Sequence, residues 1–250
     1  MGEPREVENG VGKRALIVTP TYNERANIER FVSEVRRLAP HADLLIVDDN
    51  SPDGTGDIAD DLARRDPQIK VLHRAGKLGL GTAYIEAFRK GIAEGYDLFF
   101  EMDADLSHDP KYLPDFFRAL SSGADVVVGS RNIPGGAVEG WGPGRLVLSK
   151  GGSLYSRVIL GVDIRDLTTG YKAFTRQALQ AIDLDTVRSN GYSFQIEMTF
   201  RALKRGLRVV EVPIVFVDRT LGQSKMNSRI FREAIAIVWK LRYESARGRI

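Results

Sequence analysis

The feature that most constrains the fold of this 250-residue chain is a regular alternation of short apolar runs with amphipathic segments. Over the first half, strands are predicted at 15–19, 44–47, 69–72, 97–102 and 125–128, and helices at 28–38, 54–65 and 80–94. Strands that alternate with helices at this spacing are typical of βαβ units in a parallel sheet. The sequence therefore predicts an α/β fold, with a mixed, mainly parallel sheet flanked by helices.

Weaker patterns extend this prediction along the chain. Beyond residue 163, strands are predicted at 171–174 and 207–217, and a helix at 194–204. Thr21 and Glu24 have the spacing of a capping box, which predicts a helix start there. The Gly-rich stretch 135–152 is predicted to be a mobile loop that leads into a helix.

Composition excludes several classes of site. The chain has no cysteine, which rules out disulfides, thiolate nucleophiles and Cys-type zinc sites. The three histidines lack metal-ligand spacing. A net charge of +3 is compatible with anionic substrates or a membrane surface, but it is too small to indicate nucleic-acid binding. No window has the ~18 apolar residues that a membrane-spanning helix needs, and the polar N-terminus does not resemble a secretory signal.

Polar groups follow four of the predicted strands. They lie at 20–24, 48–51, 103–105 and 130–131. In parallel sheets, ligands bind beyond the carboxyl ends of the strands, so one crevice is expected to collect all four groups.

The pair Asp103 and Asp105 is the strongest candidate for chemistry. Residues i and i+2 of an extended segment point the same way, so both carboxylates can reach one ion. Mg²⁺ typically takes one or two carboxylates and completes its shell with water and phosphate oxygens. The pair therefore suggests a metal-held diphosphate. The alternative is a helix cap, with Asp105 or Ser107 opening the segment that begins near 109–110.

Three other groups have two interpretations each. Asp48 and Asp49 either form an Asx-type turn or accept hydrogen bonds from a nucleotide. Arg131 either clamps a phosphate or pairs with a carbonyl or a surface acid. The segment 77–81, Lys-Leu-Gly-Leu-Gly, either cradles phosphate or provides glycines for close packing and a helix start.

The C-terminal segment 228–243 is predicted to be an amphipathic helix. Its apolar face consists of Phe231, Ala234, Ile235, Val238 and Leu241. From 225 to 250, seven Lys or Arg stand against two Glu. The helix either packs on the domain with a solvated face, or lies on anionic lipid or a membrane partner.

Taken in order, the motifs resemble those of a family 2 glycosyltransferase with the GT-A fold. The matching segments are 20–24, 47–51, 77–84, Met102-Asp-Ala-Asp-Leu-Ser-His108 and 129–131. Segments 140–141, 166–170, 191–197, 211–213 and 217–225 narrow the resemblance to the dolichol- or polyprenol-phosphate mannose synthases. The resemblance covers 15 to about 228. It implies a flexible leader at 1–13, a GT-A domain at 14–227 and the amphipathic, basic C-terminal helix and tail at 228–250.

The resemblance also implies roles for individual residues. The positions that would line the donor guanosine are Pro20, Tyr22, Glu24, Val47 and Asp49. The positions at the Mg²⁺ or Mn²⁺ ion and the diphosphate would be Asp103, Ala104 and Asp105, with Ser107 assisting at the ion, where some members carry Gln. Arg131 would contact the donor. Arg219 and Lys225, in a polar loop where the alternative is solvated cations, would close over the phosphates.

The implied reaction is transfer of mannose from GDP-mannose to a polyprenyl phosphate, with inversion at the anomeric carbon. At pH 7 a phosphate monoester is already largely dianionic, so it needs no general base. The resemblance further implies a peripheral position on the cytoplasmic face of a membrane, through a separate anchoring subunit, and no nucleic acid. Three alternatives remain: a polyprenyl-phosphate transferase for a UDP-sugar, a receiver module phosphorylated at Asp103, and a non-catalytic scaffold on an inactive transferase fold.

Overall fold

A computed structural model describes residues 12–218 and 228–250, and it confirms the predicted alternation of strands and helices. The strands of the first half are β1 (Ala15–Thr21), β2 (Asp43–Asp48), β3 (Ile69–His73), β4 (Leu98–Glu101) and β5 (Val126–Ser130). The helices between them are α1 (Ile28–Leu38), α2 (Thr55–Arg65), α3 (Leu80–Ala93) and α4 (Leu113–Ser121).

The second half adds four strands and four helices to the described part of the chain. The strands are β6 (Ala137–Glu139), β7 (Lys172–Thr175), β8 (Val209–Pro213) and β9 (Val215–Val217). The helices are α5 (Pro143–Leu160), α6 (Arg176–Ile182), α7 (Gly191–Lys204) and α8 (Ser228–Ala246). The C-terminal helix is thus present as predicted.

The main sheet has seven strands in the order β3-β2-β1-β4-β7-β5-β8. Strand β7 runs antiparallel to both of its neighbours, and the other pairs are parallel. Strands β6 and β9 form a separate two-stranded sheet. The mixed, mainly parallel sheet is therefore confirmed. It brings the carboxyl ends of β1, β2, β4 and β5 to one edge.

The core lies on both faces of this sheet. Along β1, Ile17 packs on one face, with residues of α1, α2 and α4, while Leu16 and Val18 pack on the other, with α3, α6 and α7. This alternation follows from the two-residue period of a strand. A third cluster joins α5, α7 and α8, and it includes Val238 and Leu241, each 1% exposed.

The capping-box prediction at Thr21 and Glu24 was wrong. Helix α1 begins at Ile28 with Asn27 as its N-cap residue, and Thr21 is the last residue of β1. The cause is strand pairing, because β1 stays in register with β2 through Thr21 opposite Asp48. The Thr21 hydroxyl donates to Asp48 Oδ1 at 3.1 Å instead of capping a helix.

The prediction of a loop over 135–152 was also wrong. Residues 137–139 form β6, and α5 already begins at Pro143. Proline is favoured at the first position of a helix, where its missing N–H costs nothing. The predicted strand 207–217 is interrupted at Ile214, because β8 pairs with β5 whereas β9 pairs with β6.

Candidate active site

A pocket of about 590 Å³ opens where the carboxyl ends of β1, β2 and β4 meet the N-terminal turn of α7. This volume is typical of small-molecule sites. Seven of the predicted site residues line it: Pro20, Tyr22, Glu24, Asp49, Asp103, Ala104 and Asp105. The expectation that one crevice collects the groups of β1, β2 and β4 is therefore confirmed.

Asp48 forms the Asx-type turn, whereas contact of Asp49 with a nucleotide stays a prediction. Asp48 is buried and accepts hydrogen bonds from the Ser51 amide at 3.0 Å and the Ser51 hydroxyl at 2.6 Å, which is an Asx-type turn. Asp49 faces the pocket. Neighbours in an extended segment point to opposite sides, so only one of the two acids is available to a ligand.

Arg74 holds Asp49 in place, and the sequence reasoning missed it. Its side chain is 2% exposed, and Nη1 donates to Asp49 Oδ1 at 2.8 Å. Nη2 donates to Thr82 at 2.6 Å, and Nε lies 3.2 Å from Glu86. Burial raises the pKa of Asp49 above its ordinary value, although Arg74 opposes the shift. The available signal was an arginine two residues after the end of the predicted strand 69–72.

Asp103 and Asp105 follow β4 and both line the pocket. The Asp105 carboxylate accepts from the Ser107 amide at 3.0 Å and from the Ser107 hydroxyl at 2.6 Å. The Asp103 amide donates to Nδ1 of His108 at 3.1 Å. The helix cap in this region is Asp109, which accepts from the Lys111 amide. The helix-cap alternative for Asp105 and Ser107 is therefore wrong.

The oxygen ligands at this position suit a hard cation that would also bind the phosphates of a molecule in the pocket. The carboxylates of Asp103 and Asp105 both line the pocket, and the buried hydroxyl of Ser107 donates to Asp105. The described residues contain no group of three or more His, Cys, Asp or Glu that could hold a metal. Mg²⁺ commonly takes one or two carboxylates and fills its other positions with phosphate oxygens and water. The residues present fit such an ion, provided that a diphosphate supplies the remaining oxygens.

Arg131 lies beside the pocket and not on its wall. The guanidinium is 6% exposed and binds Asp166 in bidentate fashion, with Nε–Oδ2 and Nη2–Oδ1 distances of 2.7 Å. Burial alone would raise the pKa of Asp166, but Arg131 outweighs it and lowers that pKa. Pairing with an acid, one of the two interpretations, is thus observed, although the acid is buried. Contact of Arg131 with a donor stays a prediction.

Two further buried ionisable side chains, one acidic and one basic, lie near the pocket residue Gln195. Glu101 on β4 stands opposite Lys172 on β7, and both side chains are fully buried. Burial raises the pKa of Glu101 to about 7 and lowers that of Lys172 to about 8. The Lys172 ammonium donates to the backbone carbonyl of Gln195 at 2.6 Å. Sequence reasoning missed this pair, because both residues read as parts of strands.

The glycines of 77–81 serve mainly packing. A Cβ on Gly81 would lie 2.6 Å from the backbone oxygen of Ser189, so α3 can approach that segment only with glycine here. Lys77 and Gly79 nevertheless line the pocket. The Lys77 ammonium sits 4.6 Å from the centre of the Tyr22 ring, a cation–π distance.

Of the remaining predicted residues, some are described but do not line the pocket, and the others lie outside the described residues. Val47 is fully buried in β2 and does not line the pocket. Ser107 is 2% exposed and reaches the pocket only through Asp105. Arg219, Lys225 and most of the proposed leader at 1–13 lie outside the described residues.

A search of protein families matches the Glycosyl transferase family 2 model to residues 16–183. An undecaprenyl-phosphate mannosyltransferase of Micrococcus luteus is 49% identical over 241 residues, which cover 95% of this chain and 99% of that protein. A polyprenol monophosphomannose synthase of Mycolicibacterium smegmatis is 47% identical, covering 100% of this chain and 98% of that protein.

The fold is also found among solved structures. A mannosyltransferase of Pyrobaculum calidifontis, solved with GDP-Man and Mn²⁺, superposes with a TM-score of 0.61 at 18% identity. The match covers 98% of this chain and 67% of that chain. The GT-A architecture predicted from the motifs is thereby confirmed.

Proposed function

Because the chain belongs to glycosyl transferase family 2, and is a glycosyltransferase, we propose that it transfers mannose from GDP-mannose to a polyprenyl phosphate. The products are polyprenyl phosphomannose and GDP. Support comes from two relatives that are named for this kind of acceptor and span nearly the whole chain. The observation that carries the proposal is the pocket itself. Asp49, after β2, and Asp103 and Asp105, after β4, line it at one edge of the sheet.

The nucleoside of the donor is assigned to the β1–β2 end of this pocket. Asp49 presents a carboxylate that Arg74 fixes at 2.8 Å. A carboxylate only accepts hydrogen bonds when ionised, and guanine offers N–H donors on its Watson–Crick edge. Tyr22, with Lys77 over its ring, supplies an aromatic surface beside the base.

The diphosphate is assigned to the end of β4. Asp103 and Asp105 would hold Mg²⁺ or Mn²⁺, with Ser107 fixing the carboxylate of Asp105. When bound there, a divalent ion offsets the charge that develops on the departing diphosphate. Arg131, Arg219 and Lys225 are proposed as further phosphate contacts, as the family resemblance implies.

No general base is required for the acceptor. A phosphate monoester has a second pKa near 6, so it is largely dianionic at pH 7. Direct attack by its oxygen on the anomeric carbon breaks the bond to GDP and inverts that carbon. The contribution of this chain is to orient the donor and to neutralise the two anions that meet in the pocket.

Contact with a membrane surface is proposed for α5 and α8, whereas a separate anchoring subunit rests on the resemblance alone. On α5, Val147, Leu154 and Val158 are 72%, 58% and 69% exposed, and on the adjoining α8, Trp239 and Tyr243 are 56% and 52% exposed. Such a concentration of exposed apolar groups marks an interaction surface. Within residues 12–218 and 228–250, no helix is long and apolar enough to cross a bilayer.

Helix α8 has two interpretations: it packs on the domain, or it lies on anionic lipid or a membrane partner. Val238 and Leu241 face the domain and are each 1% exposed, so this part of the predicted apolar face packs on α5 and α7. The side chains of Phe231, Ala234 and Ile235 lie outside the described set. A lipid contact would therefore use the outer residues Trp239 and Tyr243.

The proposal is tested by comparing donors. Purified protein is given vesicles that contain a polyprenyl phosphate, with radiolabelled GDP-mannose in one reaction and UDP-glucose in another. We expect lipid-linked label from GDP-mannose only, and its loss with EDTA. Label from UDP-glucose alone would support the UDP-sugar alternative and contradict the proposal.

A further inference from the structure

Gln195, in α7, is a buried pocket residue whose amide is unsatisfied. It lines the pocket and is 2% exposed. Within the described part of the chain, neither its Oε1 nor its Nε2 has a hydrogen-bond partner. Buried polar groups in native structures almost always have one, and an exception calls for an explanation. A ligand in the pocket would supply the missing partner.

The buried Lys172 side chain holds the backbone of this residue. The Lys172 ammonium donates to the Gln195 carbonyl at 2.6 Å, and Lys172 is itself opposite Glu101 across β4 and β7. The amide lies close enough to Glu101 to act on its charge, but the two groups do not meet hydrogen-bond geometry. All three side chains are at most 2% exposed. The Lys172 ammonium thus holds the backbone of Gln195, and a ligand would compete with the nearby Glu101 side chain for the amide.

The order of the strands indicates which part of the donor reaches this amide. Along the sheet edge, β2, β1, β4 and β7 follow one another. Asp49 follows β2 at the proposed nucleoside position, and Asp103 follows β4 at the proposed diphosphate. The next position is β7, where Lys172 contacts Gln195. Gly170, just before β7, also lines the pocket, and a Cβ there would lie 3.7 Å from Gln195 Nε2. The group attached to the diphosphate would therefore meet Gln195.

The chemistry of the amide suits a neutral sugar. An amide both donates and accepts hydrogen bonds, as a hydroxyl does, whereas phosphate oxygens at neutral pH mainly accept. We propose that Gln195 binds a hydroxyl of the donor's hexosyl group, with Lys172 and Glu101 as positioning residues. This inference rests on the proposed function.

Binding of GDP-mannose and of GDP, each with Mn²⁺, separates this role from a structural one. Gln195→Met keeps the length of the side chain and removes its hydrogen bonds. By isothermal titration calorimetry we expect the affinity for GDP-mannose to fall about fivefold or more, and that for GDP to change by less than about twofold. Gln180→Met, at an exposed position of α6, is the matched control and should change neither affinity.

The outcomes distinguish the inference from the proposed function. Equal loss of both affinities, or loss of neither, would overturn the role of Gln195. Failure of the parent protein to bind GDP-mannose, with binding of a UDP-sugar in its place, would instead overturn the proposed donor. If Gln195→Met does not fold, Gln195→Asn, which shortens the reach of the amide, should give the same selective loss.

Discussion

At the scale of single residues, neighbouring acids at the strand ends make different contacts. Asp48 holds the turn after β2 through Ser51, whereas its neighbour Asp49 faces the pocket. After β4, Asp103 and Asp105 are two residues apart and both line the pocket. The two-residue period of a strand accounts for the first case, whereas Ala104 and Asp105 already lie in a turn.

Asp49→Asn should weaken GDP binding selectively. The amide would place an N–H group where the proposed base contact requires an acceptor, and it would weaken the pairing with Arg74. Charged hydrogen bonds contribute ~1.5–3 kcal/mol, so we expect about a tenfold or greater loss of GDP affinity by calorimetry. Asp57→Asn, at an exposed position of α2, serves as the control. An unchanged affinity in Asp49→Asn would show that the base lies elsewhere.

Asp166→Asn should change stability in a pH-dependent way. Its pKa in the folded protein is lowered from an ordinary 3.8, so the carboxylate stabilises the fold above pH 3.8, and this stabilisation is lost as pH falls through the lowered value. Breaking a buried ion pair costs ~3–5 kcal/mol, which urea unfolding at pH 7 should detect.

Below pH 3.8, over the range in which both proteins still fold, the difference in stability between parent and Asp166→Asn should narrow. A difference that stays as large below pH 3.8 as at pH 7 would contradict the assigned charge on Asp166.

The sequence predicted the pocket acids but not their partners. Asp49 and Arg74 are 25 residues apart, and Arg131 and Asp166 are 35 residues apart. A local sequence pattern predicts where a strand ends. It does not predict which side chain from a distant part of the chain contacts the residues there. The same applies to Glu101 and Lys172, whose pairing depends on the antiparallel position of β7.

At the scale of elements, the apolar runs of β1, β2, β4 and β5 predicted the sheet because each is buried on both faces, whereas the edge strand β3 is only partly buried. The start of helix α5 was misplaced for a different reason. Val147 and Val158 are exposed and the buried face includes the polar residues Ser153 and Ser156, so no continuous apolar stripe gives a helical period. Helix α5 instead packs on α8, far along the chain.

Close packing between α3 and the segment before α7 can be tested by a pair of glycine substitutions. Gly81→Ala would put a Cβ 2.6 Å from the Ser189 oxygen, and we expect a loss of ~1–3 kcal/mol. Gly151→Ala, inside α5, meets nothing within 4 Å and should gain ~0.5–1 kcal/mol. Urea unfolding of both variants provides the measurement. A Gly81→Ala protein as stable as the parent would refute the packing role.

At the scale of the whole molecule, the sheet edge holds the pocket, while α5 and α8 present apolar side chains outside it. If a lipid carries the acceptor phosphate, the enzyme must work at a surface. The exposed groups Leu154, Val158 and Trp239 are suited to that contact.

Leu154→Glu/Val158→Glu should reduce binding to anionic vesicles. Two charges would replace apolar groups that enter the interface, and we expect at least about a tenfold weaker partition in a sedimentation assay. Arg64→Glu on α2 changes the net charge by the same amount, at a side chain that is 71% exposed. Equal effects in the two variants would indicate long-range charge alone and contradict an apolar contact.

The most direct test of the central claim is mannosyl transfer by Asp105→Ala. Parent and variant are assayed with GDP-mannose, polyprenyl phosphate and saturating Mn²⁺, beside Asp163→Ala, whose side chain is 100% exposed. The account predicts at least about a 100-fold loss of rate in Asp105→Ala and parental activity in Asp163→Ala. Parental, metal-dependent transfer by a folded Asp105→Ala protein would contradict it.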